Sequence, residues 1–184
     1  MCYNVLMFIL AQFFGILALL AYVVSMQQNN CKKVLLWRSV YNVMCGIQYL
    51  ILGAWSGVIC SLVAIARNYV FAQYKKTIPA FHVAFFVLLN FILGLVFYDG
   101  PISLLPVIHT MICTIYLARD DLTTFRLIQA FAATFMFIYN FSVKAYAGII
   151  VVAVQFVCTL VGIARFDQDK IKKARSDRRR GRKK

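Results

Sequence analysis

Carboxylates are scarce in this chain. Its 184 residues contain no glutamate, and the six aspartates are Asp99, Asp120, Asp121, Asp167, Asp169 and Asp177. All six fall between or beyond the long hydrophobic runs. No run therefore holds the acidic group that membrane carriers commonly use to couple transport to protons or sodium, and a passive facilitator is expected over a pump. Histidine is limited to His82 and His109, with no H-E-x-x-H pattern, no glycine-rich phosphate loop and no triad spacing. Neither an enzyme nor a cofactor is expected. Cys2, Cys31, Cys45, Cys60, Cys113 and Cys158 show neither C-x-x-C nor metal-ligand spacing, so they read as packing residues, with no disulfide framework and no metal site.

What the chain has is apolar length. Its composition is 62% hydrophobic with a mean hydropathy of +0.78, too little polar surface for a soluble globule of this size. The predicted fold is an all-α polytopic membrane domain with helices at Val5 to Met26, Val34 to Gly53, Val58 to Tyr74, Ile78 to Tyr98, Ile102 to Leu117, Leu122 to Phe141 and Ala145 to Phe166. Most have roughly the 17 to 22 residues that cross a bilayer core; the fifth is marginal. Of the twenty Lys and Arg residues, all but Lys144 fall on one side of this threading. Short basic loops stay in the cytoplasm, so the N-terminus is expected outside and the C-terminus inside. Met1 to Asn4 carries no basic residue, so the first helix reads as a retained span, not a signal peptide.

Half of the net charge of +14 comes from the tail at 167–184, which has ten basic and three acidic residues. Without aromatic residues for base stacking it does not suggest nucleic acid. Arg178, Arg179, Arg180 and Arg182 suit anionic lipid headgroups instead, at about 1 kcal/mol per basic residue, or serve as a topology anchor.

Shifting the chain on itself by 91 residues aligns Ala54 with Ala145, Gly57 with Gly148, Leu36 with Leu127 and Gly15 with Pro106. An odd number of helices, the fourth, separates the copies, which gives them the same orientation in the membrane. The expected organisation is 3+1+3: a first bundle at residues 1–76, a linker helix at 77–100, a second bundle at 101–166 and the tail at 167–184. Parallel repeats of this kind form substrate paths between their halves near the midplane.

Polar residues lie on faces such a path would use. Arg38, Asn42, Cys45 and Tyr49 form one helical stripe, and the shift maps them onto Gln129, Ala133, Met136 and Asn140. Gly57, Ser61, Ala64 and Asn68 form another, opposite Gly148, Val152, Gln155 and Thr159. Close helix packing also uses such faces, and Ser61, Thr159 and Gln129 are assigned to that role. Arg67 lies about 12 Å inside its helix, a depth at which a cation points to function unless it snorkels. Asn42, Asn68, Arg67, Gln155 and Asn140 are the substrate-binding candidates. Gly15, Pro106 and His109 are the hinge or gating candidates. Arg38, near its helix end, is expected to snorkel.

The run QQNNCKK from Gln27 to Lys33, the turn QYLILGAW from Gln48 and the Arg67–Asn68 pair resemble the YgjV-like bacterial inner-membrane proteins. The match covers mainly the first half. That family is similar to the PQ-loop superfamily of SWEET sugar transporters, which implies the 3+1+3 architecture, a bacterial inner-membrane location and assembly into homo-oligomers. Met26 and Gln27 stand where the PQ-loop proline would be expected, and Gly15 replaces the hinge proline retained as Pro106. The expected function is a transporter or facilitator of a small polar solute, anionic if Arg67 faces the path. The alternative is a non-transporting scaffold whose tail binds anionic lipid or a cytoplasmic partner.

Overall fold

The computed structural model describes residues 5–28, 30–74, 78–118 and 122–166, and every described element is helical. The helices are α1 (Val5–Gln27), α2 (Cys31–Ile51), α3 (Trp55–Ala72), α4 (Ala80–Val96), α5 (Leu104–Leu117), α6 (Leu122–Ser142) and α7 (Tyr146–Phe166), with a single 3₁₀ turn at Pro101–Ser103 before α5. Each predicted span is present, with ends displaced by a few residues. α2 begins at Cys31, ahead of the expected Val34, because the Asn30 side chain accepts from the Lys32 backbone N–H at 3.0 Å and caps the helix. α1 and α3 are each long and apolar enough to cross a bilayer.

Large apolar side chains face outward. On α1, Leu6, Ile9, Phe13, Ile16 and Leu20 are exposed, while the buried face carries Ala11, Gly15, Ala18 and Ala21. Small residues inside and bulky ones outside suit a helix whose outer face meets lipid and whose inner face approaches a neighbour closely.

Packing follows a closed circuit. α2 lies between α1 and α3, α6 lies between α5 and α7, and the circuit is completed by α3 against α5 and α1 against α7. α4 stands outside, touching α3 and α5. It buries the stripe Phe86, Asn90 and Gly94. Asn90 Nδ2 donates to the Val107 carbonyl at 3.0 Å, and a Cβ on Gly94 would come within 2.6 Å of Val107.

The turns after α2 and α6 have the same geometry. Gly53 and Lys144 are both left-handed, with φ of 71° and 58°. The Ala54 N–H donates to the Tyr49 carbonyl and the Ala145 N–H to the Asn140 carbonyl, each at 2.9 Å. Gly53 and Lys144 also donate to Leu50 and Phe141. Both turns are Schellman motifs, built on a glycine in one and a lysine in the other.

Candidate functional site

The polar stripe of α2 faces inward. Arg38, Tyr41, Asn42, Cys45 and Tyr49 line an inner cavity of about 50 Å³, together with Gly57 to Arg67 of α3, Pro106 to Cys113 of α5, and Gln129 and Met136 of α6. At about 10–15 Å³ per water it has room for roughly three to five water-sized atoms. A second, wider cleft of about 620 Å³ lies at the other side of the α3 N-terminus, lined by Trp55, Ser56, Tyr98, Asp99, Ser103 and Tyr139, among others.

A hydrogen-bonded layer separates the two. Tyr49 donates from its hydroxyl to Asn140 Oδ1 at 2.7 Å, the Tyr139 hydroxyl pairs with Ser56 Oγ at 2.9 Å, and the Gly57 N–H donates to the Tyr139 oxygen at 3.0 Å. The two tyrosine rings meet edge to face, 5.6 Å between centroids. Gly57 is required here, because a Cβ would lie 2.7 Å from the Tyr49 ring.

Arg67 anchors the opposite end. It is only 4% exposed. Its Nε and Nη2 donate to Asn68 Oδ1 at 3.2 and 2.9 Å, and Nη1 donates to Thr114 Oγ1 at 2.9 Å. All these partners are neutral. Arg38 was expected to snorkel and does not: it is 5% exposed, lines the same cavity, and stacks over the Tyr22 ring with 5.8 Å to the centroid. Residues along the α2 stripe point to the bundle interior, and Arg38 belongs to that stripe despite its position near the helix end.

The other candidates divide. Asn42, Pro106 and His109 line the inner cavity. His109 Nδ1 faces the Ala132 carbonyl at 3.0 Å and so carries the proton, leaving Nε2 to accept from the Cys113 thiol at 3.6 Å. Asn68 sits behind Arg67 and holds it. Gln155 lies behind Gln129, donating from Nε2 to the Gln129 carbonyl at 3.0 Å. Asn140 belongs to the separating layer. Gly15 is outside the cavity, where α1 meets α7: a Cβ there would collide with Ala147 Cβ. Arg178, Arg179, Arg180 and Arg182 lie outside the described residues. Thr110, Cys113 and Thr114 were missed, although Pro106, Thr110 and Cys113 repeat at helical spacing on α5 and form an inward stripe. Gln129, assigned to packing, lines the cavity.

Cys45, Cys60 and Cys113 are free thiols on the cavity wall, yet among the described residues no three His, Cys, Asp or Glu side chains are placed to hold a metal ion. The two seams that close the circuit also differ. The α3–α5 seam carries Arg67, Thr110 and Thr114, whereas the α1–α7 seam is packed with Tyr22, Met26, Val151 and Cys158.

A family model described as bacterial inner membrane protein, Imp-YgjV, matches residues 9–170. The chain belongs to this family. The match runs from within α1 to beyond α7, so it takes in both cavities and the second half of the chain, where the sequence resemblance was thinnest. The protein is a multi-pass protein of the bacterial inner membrane, which accounts for the apolar outer faces of α1 and α4. No curated protein and no solved structure matches the chain.

Proposed function

We propose that this YgjV-family protein is a non-enzymatic facilitator that carries a small polar solute along the α3–α5 side of two three-helix bundles, α1–α3 and α5–α7, with α4 as linker. The observation that carries this reading is the series of two cavities divided by the Tyr49–Asn140 and Tyr139–Ser56 layer. A path that is wide on one side, closed by a few hydrogen bonds and polar beyond them is what alternating access requires of one of its states. The repeated Schellman turns at Gly53 and Lys144 support the parallel repeat. In the proposed orientation the N-terminus and the Trp55 cleft face outside, and the basic loops and tail face the cytoplasm.

Single-cysteine labelling tests it. On a cysteine-free background, Asn42→Cys should react with a small hydrophilic thiol reagent in intact cells or inverted vesicles. Gln155→Cys, behind Gln129, should stay protected. Protection of Asn42→Cys from both sides, with loop controls reacting normally, would make the cavity a packing defect and end the transport reading.

A further inference from the structure

We propose that the inner cavity binds one compact oxyanion that retains a protonated oxygen, of the class of hydrogencarbonate and dihydrogen phosphate. The inference deepens the transport reading, on which it rests, by naming the ligand class of that path.

Three features converge. A guanidinium has five N–H donors. Arg67 uses three of them, two on Asn68 Oδ1 and one on Thr114 Oγ1, so two N–H groups remain at a buried, cavity-lining cation that touches no carboxylate among the described residues. An anion accepting from Arg67 would form charge-assisted bonds and offset the burial of that charge. The second feature is Gln129, 3% exposed and on the cavity wall, whose Oε1 has no hydrogen-bond partner. A buried carbonyl oxygen asks for a donor, which chloride and nitrate lack and a protonated oxyanion supplies. The third is size. About 50 Å³ admits roughly three to five water-sized atoms, which suits hydrogencarbonate or dihydrogen phosphate and falls well short of a hexose. Gln155 acts as a positioning residue, since its bond to the Gln129 backbone fixes α6 against α7 at this point.

The test is thermal unfolding of the purified full-length protein in detergent, with hydrogencarbonate, phosphate, nitrate and chloride titrated at matched ionic strength. The expected result is a rise in Tm with hydrogencarbonate or phosphate and little with nitrate or chloride; the lower half-saturating concentration identifies the ligand. Arg67→Gln should abolish the response, Thr114→Val should weaken binding several-fold, and Gln129→Leu should erase the preference over nitrate while keeping a response to anions. If Arg67→Gln fails to fold, the Thr114→Val and Gln129→Leu titrations decide. A wild-type protein indifferent to all four anions, an equal response to nitrate, or a Gln129→Leu variant with unchanged selectivity would overturn the assignment. Proteoliposome flux separates the two claims: stabilisation by an anion that is never transported sinks the transport reading and leaves the site standing. Flux of a neutral solute without anion stabilisation does the reverse.

Discussion

Tyr49 and Asn140 are hydrogen-bonded at 2.7 Å and stand 91 positions apart, the offset at which the two halves of the sequence align. Residues related by a two-fold axis touch only near that axis, so this bond marks where the axis of the proposed repeat passes. Each partner also packs on an equivalent glycine, Tyr49 over Gly57 and Asn140 over Gly148.

Removing the Tyr49 hydroxyl leaves a buried carboxamide oxygen without its donor. Tyr49→Phe is expected to cost about 1–3 kcal/mol, and Tyr49→Phe combined with Asn140→Leu should recover part of it, because the double variant leaves no orphan oxygen. Thermal unfolding of the four proteins in a double-mutant cycle measures this. A double variant whose loss is the plain sum of the single losses would mean that the bond contributes nothing.

Added volume at the two glycines should act alike. A Cβ would lie 2.7 Å from the Tyr49 ring at Gly57 and 2.6 Å from Asn140 Nδ2 at Gly148. Gly57→Ala and Gly148→Ala should each destabilise by about 1–3 kcal/mol. Neutral behaviour of either, read from Tm, would show that its neighbour moves aside freely.

Lys144 occupies a conformation that L side chains adopt at a cost. Lys144→Gly is expected to stabilise the protein by about 1 kcal/mol, and Gly53→Ala at the equivalent turn to destabilise it by a similar amount. Comparing the Tm values of both variants with the parent checks the sign of each.

Native thiols report the path without engineering. Cys113 lines the inner cavity, whereas Cys158 packs with Tyr22, Met26 and Val151. In membranes, hydrogen peroxide, small enough for a cavity of this size, should oxidise Cys113 several-fold faster than Cys158, measured by mass spectrometry of the peptides. Equal rates would remove the distinction between the two seams.

The seven helices were legible because apolar length and loop charge are strong, local signals. The inward stripes of α2 and α3 were legible too, since helical spacing fixes which residues share a face: Arg38, Asn42, Cys45 and Tyr49 line one cavity. Spacing does not say how far a long side chain reaches or in which direction, which is why Arg38 was expected at the headgroups and is found over Tyr22. Depth alone misled for Gln155 as well. It lies at mid-helix as expected, but its azimuth sets it behind Gln129. The layer that divides the cavities joins Tyr49 to Asn140 and Ser56 to Tyr139, pairs so far apart in the chain that only tertiary packing brings them together.

The unequal seams divide the molecule's tolerance to change. At the 91-residue offset of the proposed repeat, Arg67 on one seam corresponds to Cys158 on the other, and His109 and Thr114 correspond to Ala18 and Val23. The α1–α7 side, where Tyr22, Met26, Val151 and Cys158 pack below the Gln12 hydrogen bonds to Ala147 and Lys144, is a mostly apolar spine, and the α3–α5 side, with Arg67 and Thr114, is a polar edge. In a library scored separately for protein abundance and for solute uptake, spine variants should fall mainly in abundance and edge variants mainly in uptake. On the proposed repeat, a symmetric dimer of one bundle would have to furnish both seams identically, so carrying two bundles in one chain would free one seam to hold the protein together while the other opens.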